Sequence, residues 1–133
     1  EMKVLIIDGQ GGGLGRQLVS AVKEKCPETE VLAVGTNSTA TGAMLRAGAD
    51  QAATGENAVL VACRKADVII GPVGIVIADS MLGEITPAMA VAVGQSRARR
   101  ILLPVNQCDN IVVGAADLSM ADKVREAVEL LGR

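Results

Sequence analysis

Short aliphatic runs alternate along the chain with stretches whose apolar positions recur at helical spacing. Val4-Leu5-Ile6-Ile7, ended by Asp8-Gly9, is the first run, and an unbroken aliphatic run marks a parallel strand covered on both faces. After the following glycines, Leu14, Leu18, Val19 and Val22 share one face of a helix that stops before Pro27. Val31-Leu32-Ala33-Val34, closed by Gly35, predicts a second strand. Asn37 or Ser38 is placed to cap a helix carrying Ala43, Met44 and Ala47, with Gly48 as its stop. Residues 50–53 read as a weak third strand, and Thr54 is placed to cap a helix holding Val59, Leu60 and Cys63.

Asp67-Val68-Ile69-Ile70-Gly71 predicts a fourth strand. Residues 73–82 carry two readings: their β-branched content favours a strand, their place after Pro72 a buried helix. Thr86-Pro87 is an N-cap followed by proline at the first helical position. The helix it opens, over residues 88–96, is apolar nearly all round and is expected to be buried on more than one side. Ile101-Leu102-Leu103 predicts a fifth strand and Ile111-Val112-Val113 a sixth. Ser119 is placed to cap a last helix with Leu118, Ala121, Val124, Val128 and Leu131 inward. Such alternation predicts one α/β domain over residues 1–133, a three-layer Rossmann-like sandwich on a mainly parallel sheet. Its strand order is expected to be Rossmann-like or flavodoxin-like, with ligands bound beyond the carboxyl ends of the strands.

Composition narrows the chemistry. The 133 residues contain no Phe, Tyr, Trp or His, so no imidazole serves as base or metal ligand and no ring stacks on a base. A net charge of -2 gives no electrostatic footprint for nucleic acid or an anionic membrane. The apolar, charge-free stretch at residues 68–78, between Asp67 and Asp79, is interrupted by Gly71, Pro72 and Gly74 and falls short of the ~20 apolar residues of a membrane helix. The first strand starts too early to leave room for a signal peptide, and three cysteines without CxxC spacing suit reduced thiols. A cytoplasmic location is therefore expected. The mean hydropathy of +0.38 is high for a small monomer, so a homo-oligomer is expected too.

The richest segment is Asp8-Gly9-Gln10-Gly11-Gly12-Gly13-Leu14-Gly15-Arg16, between the first strand and the first helix. Neither GxGxxG nor the P-loop pattern fits it; Gly9-x-x-x-Gly13-x-Gly15 does. That spacing resembles the glycine pattern of short-chain dehydrogenases, and Asp67-Val68-Ile69-Ile70-Gly71-Pro72-Val73-Gly74 loosely resembles their fourth strand and the loop after it. The resemblance implies a Rossmann fold with a cofactor over the glycines. Those enzymes use a Tyr-x-x-x-Lys pair, and without tyrosine this chain lacks their hydride-transfer machinery. More closely, the chain resembles a family of short, uncharacterised bacterial proteins beginning Ile-Asp-Gly-Gln-Gly-Gly-Gly. It shares such phrases as Gly35-Thr36-Asn37-Ser38, Ala53-Thr54-Gly55-Glu56-Asn57 and Met81-Leu82-Gly83-Glu84-Ile85-Thr86-Pro87. That resemblance implies a bacterial, stand-alone domain and carries no activity.

Five glycines in seven residues exceed what a tight turn requires, which points to a phosphate or nucleotide at the loop; the bland alternative is a turn alone. The candidate binding residues are Asp8, Gly9, Gly11, Gly12, Gly13, Gly15 and Arg16, joined by the neutral loop Gly35, Thr36, Asn37 and Ser38 at the end of the second strand. That loop lacks the ribose-binding acid of dinucleotide folds and suits a 2′-phosphate, a mononucleotide or a sugar phosphate; it also reads as an N-cap cluster. Asp8 caps the turn, bonds a ribose or holds Mg²⁺. Further polar groups near strand ends are Asp79, Ser80, Glu84, Asn106, Gln107, Cys108, Asp109 and Asn110. A rival reading makes the chain a small enzyme using Asp8, Asp79 or Cys108. Another makes it an oligomeric interaction module whose glycines serve packing. No particular cofactor is implied, and three scattered thiols without His make no zinc site.

Overall fold

The aliphatic runs form one sheet of five parallel strands in the order β3-β2-β1-β4-β5. They are β1 (Lys3–Asp8), β2 (Glu30–Gly35), β3 (Gln51–Thr54), β4 (Val68–Pro72) and β5 (Arg99–Leu103). This is the Rossmann-like order, seen in a computed structural model that describes residues 2–105, 109–115 and 117–132. Alternate residues of β1 enter opposite layers. Val4 and Ile6 pack with α1 (Gly13–Lys25), α2 (Ser38–Arg46) and α5 (Met120–Glu129). Leu5 and Ile7 pack with α3 (Glu56–Cys63) and α4 (Pro87–Gln95). All four side chains are at most 1% exposed, and burying such a side chain is worth about 1.5–3 kcal/mol. Two apolar layers around one sheet make the three-layer sandwich.

The helices follow their sequence signals closely, with informative exceptions. Leu14, Leu18, Val19 and Val22 are all buried on α1. The Asn37 carboxamide accepts the Ala40 amide at 2.9 Å and caps α2, while Gly48, at φ 115°, ends it. Thr86 caps α4 and Ser119 caps α5. Thr54 does not cap α3: it is still paired in β3, its hydroxyl lies 2.7 Å from that of Thr41, and Gly55 at φ 101° makes the turn instead. Only one side of α4 is covered, by Met89, Ala90 and Val93; Val91 is 52% exposed. On α5 the buried residues are Val124, Ala127, Val128 and then Leu131, whereas Leu118 and Ala121 are exposed.

Two segments depart from β propensity. Residues 73–82 are neither strand nor α-helix: a short 3-10 turn over Val73–Val76 buries Ile75, and the turns that follow it bury Met81. Ile111-Val112-Val113 form no strand, and Ile111 and Val113 are 89% and 95% exposed. A β-branched run becomes a strand only where a ladder and a covered face await it, and the sheet ends at β5. Among the described residues no helix is long and apolar enough to cross a membrane.

The sheet order reverses beside β1, because β2 and β3 extend to one side and β4 and β5 to the other. In open parallel sheets that reversal opens a crevice at the carboxyl ends of the strands. The glycine-rich segment leaves β1 at this point.

Candidate functional site

β1 ends at Asp8, and the chain turns through residues 9–12 into α1. Asp8 is 2% exposed, and its two carboxylate oxygens accept the amides of Gly9 (2.8 Å) and Gly15 (2.6 Å). The carboxylate therefore braces the loop from inside and is not presented to a ligand. Burial raises its pKa, the two amides oppose that, and the charge of Glu84 adds to the rise.

The glycines divide into two kinds. A Cβ on Gly9 would lie 2.6 Å from the Thr36 hydroxyl, 2.8 Å from Met81 Sδ and 2.9 Å from Glu84 Oε1. On Gly15 it would lie 2.5 Å from Met44 Sδ and 2.8 Å from Asp8 Cβ. Gly12 sits at φ 75°, with the backbone of Ala40 2.7 Å from the position of a Cβ. These three are buried, and the fold itself requires them. Gly11 and Gly13 are exposed, have ordinary φ, and a Cβ on either would meet nothing within 4 Å. Nothing inside the chain asks for glycine there.

Backbone donors divide the same way. The Gly12 amide bonds Gly9 O, the Arg16 amide bonds Gly12 O, and the Gln10 amide donates to Glu84 Oε1 at 2.8 Å. Among the described residues, the amides of Gly11, Gly13 and Leu14 have no protein acceptor. They lie at the start of α1, at the positive end of its dipole.

At the end of β2, Gly35 is required by close packing, since a Cβ would lie 2.5 Å from the Thr41 amide nitrogen. The Thr36 hydroxyl and the Asn37 carboxamide nitrogen donate to Glu84 Oε1 at 2.5 and 2.9 Å, and the carboxamide also reaches Gln10 O at 2.9 Å. The side-chain donors expected for a 2′-phosphate are thus spent on a carboxylate of the same chain. The Thr36 hydroxyl is the main cause that lowers the Glu84 pKa, with the Gln10 amide and Asn37 assisting against partial burial. Ser38, the first residue of α2, is exposed. Arg16 is exposed and lines an open groove between α1 and α5 together with Gln17 and Ser20.

Glu84 stood among the polar groups near strand ends, and the structure gives it the central position. It arrives on residues 77–86, where Asp79, Met81, Leu82 and Gly83 all have φ between 56° and 89°. No local pattern announces that this segment folds back over a loop some seventy positions earlier. Asp79 is exposed; its amide bonds Ile85 O at 2.7 Å and its carbonyl accepts the Gly83 amide. Ser80 donates to Gly74 O at 2.5 Å and is buried. Asn106, Gln107 and Cys108 lie outside the described residues, while Asp109 and Asn110 are exposed. Among the described residues no cluster of His, Cys, Asp and Glu could hold a metal ion.

Residues 3–133 match the family described as Domain of unknown function (DUF3842), and the chain belongs to that family. This agrees with the resemblance to uncharacterised proteins carried by its opening phrase. No curated protein matches the chain. Among solved structures it is similar to a dodecameric FMN-dependent UbiX-like decarboxylase from Escherichia coli O157:H7, with a TM-score of 0.51 and 18% identity. The likeness covers 98% of this chain and 76% of that one, and at such identity it is a likeness of fold.

Proposed function

We propose that this DUF3842 protein binds a phosphate-bearing small molecule, a nucleotide, at the carboxyl end of β1. The observation that supports the reading is the pair Gly11 and Gly13: exposed, unstrained, with room for a Cβ that nothing uses, and flanking amides that have no acceptor among the described residues. A phosphate would take the amides of Gly11, Gly13 and Leu14, its approach kept open by the missing side chains. Asp8, Gly9, Gly12 and Gly15 shape the loop, and Arg16 adds a cation in the first helical turn. Gly35, Thr36, Asn37 and Ser38 form the rim. The site lies at the reversal of strand order, where parallel sheets receive ligands.

The reading extends to a single bacterial, cytoplasmic domain that assembles with copies of itself. Its supports are the free thiols of Cys26 and Cys63 and the exposed Leu45, Leu82 and Val91; the dodecameric assembly of the Escherichia coli decarboxylase is a parallel at the level of fold. That decarboxylase is FMN-dependent, so FMN joins the ligands to be tried, although this chain has no ring to stack on a flavin.

The chain has no Trp or Tyr and absorbs little at 280 nm, so a 260 nm band in purified protein reports a retained nucleotide once mass spectrometry has excluded nucleic acid. In calorimetric titrations Gly13→Val should weaken phosphate-ligand binding by at least about tenfold, a loss of about 1.4 kcal/mol, while leaving the unfolding midpoint nearly unchanged. Unchanged binding by folded Gly13→Val would overturn the reading.

A further inference from the structure

We infer that Glu84 makes the end of β2 a hydrogen-bond acceptor, so that the bound molecule presents the free vicinal hydroxyls of a ribose there and its phosphate only to the glycine loop. The inference rests on the proposed phosphate seat and adds what the other end of the ligand must be.

The Gly35-Thr36-Asn37-Ser38 loop taken alone is neutral and rich in donors, which suits an anion. In the folded chain those donors already have an anion. Oε1 of Glu84 receives three hydrogen bonds, from Gln10 N (2.8 Å), Thr36 Oγ1 (2.5 Å) and Asn37 Nδ2 (2.9 Å). Oε2 has no partner among the described residues, and the side chain is only partly buried. What a ligand meets beside Thr36 is therefore a carboxylate with one oxygen saturated and the other open. The three donors and the depressed pKa keep it ionised at neutral pH, so it accepts and cannot donate. A sugar hydroxyl satisfies that oxygen. A second phosphate in the same place would set like charges within a few ångströms of each other.

The distance along the chain makes the arrangement a built one. Glu84 crosses from the segment after β4 to clasp β1's loop and β2's end together, and the buried Met81 beside it fills the space over Gly9. Substituting Glu84 by Gln keeps one oxygen to accept from Gln10 and Thr36, so the segment keeps those hydrogen bonds, while the charge is lost and the open carboxylate oxygen is replaced by an NH2 donor.

The test is calorimetric titration of the full chain with adenosine 5′-monophosphate, adenosine 2′,5′-bisphosphate and ribose 5-phosphate. The wild-type protein should bind the 5′-monophosphate at least about tenfold more tightly than the 2′,5′-bisphosphate. Glu84→Gln should bring the two within about threefold of each other. Ribose 5-phosphate binding as tightly as the nucleotide identifies a sugar phosphate as the source of the ribose; weaker binding identifies a nucleotide. Equal wild-type affinity for the two adenosine phosphates overturns the inference and leaves the phosphate seat standing, and so does a preference unchanged by Glu84→Gln. No binding of any of the three at millimolar concentration overturns the phosphate seat and the inference with it. The wild-type comparison requires no variant to fold.

Discussion

Gly12 and Gly11 are neighbours with opposite obligations. Gly12 is in the left-handed region and pressed against the Ala40 backbone, whereas Gly11 faces open space at ordinary φ. Gly12→Ala should therefore destabilise the protein by about 2 kcal/mol or more, combining left-handed strain with a contact that backbone cannot relieve. Gly11→Ala should change stability by no more than about 0.5 kcal/mol. Urea unfolding of the two variants checks this, and equal midpoints would show that the loop is not packed as described. The sequence made the glycine excess legible, but sorting the glycines needed Ala40, Met44, Met81 and Glu84, which belong to other elements. The same holds for Asp8. Its place at a strand end was readable, and its use in bracing Gly9 and Gly15 followed only from the closed loop.

Residues 77–86 form an element that belongs to neither strand nor helix. Three non-glycine residues in the left-handed region, Asp79, Met81 and Leu82, each cost about 1 kcal/mol or more, a cost offset by burying Met81 and Ile85 and by the Glu84 anchor. The anchor depends on pH in a definite direction. The Glu84 pKa is depressed below its ordinary 4.5, so the stability it adds is fully present above about that pH and is lost as pH falls through the folded-state value. Asp8 runs oppositely: its raised pKa means that ionising it costs stability as pH rises from its ordinary value through its folded-state value. Comparing wild type with Glu84→Gln isolates the contribution of the carboxylate charge to the anchor. The wild type's advantage in thermal midpoint should hold steady above pH 5 and shrink steadily as pH is lowered below 4.5. An advantage that does not change over that range would show that the carboxylate is not engaged.

At the scale of the whole molecule, the sheet covers more of the apolar surplus than composition implies. Ile75, Met81, Met89 and Val93 are buried within one copy of the chain, so the apolar residues of 73–82 and of α4, part of the high mean hydropathy behind the expected oligomer, are largely accounted for internally. Those that stay outside include Val91 on α4, Leu45 on α2, Leu82 in the 77–86 segment, and Ile111 and Val113 beyond β5. Light scattering at micromolar concentration should report a dimer or larger, and a uniform species of 13.6 kDa would overturn the assembly. The amino-acid sequence by itself determined the five strands and five α-helices of the described residues and most of the helix caps. Aliphatic runs, helical periodicity and capping residues act within a few positions of one another, so they are complete in one dimension. It also marked the glycine loop at a strand end. Tertiary structure alone decided that Ile111-Val112-Val113 stays out of the sheet, since a strand exists only beside a partner. It alone decided which glycines are packed, and that a glutamate seventy-four positions from Gln10 gives the donors of Thr36 and Asn37 their anion. Those outcomes depend on distances between elements, and such distances exist only after the sheet has closed and the helices have docked on it.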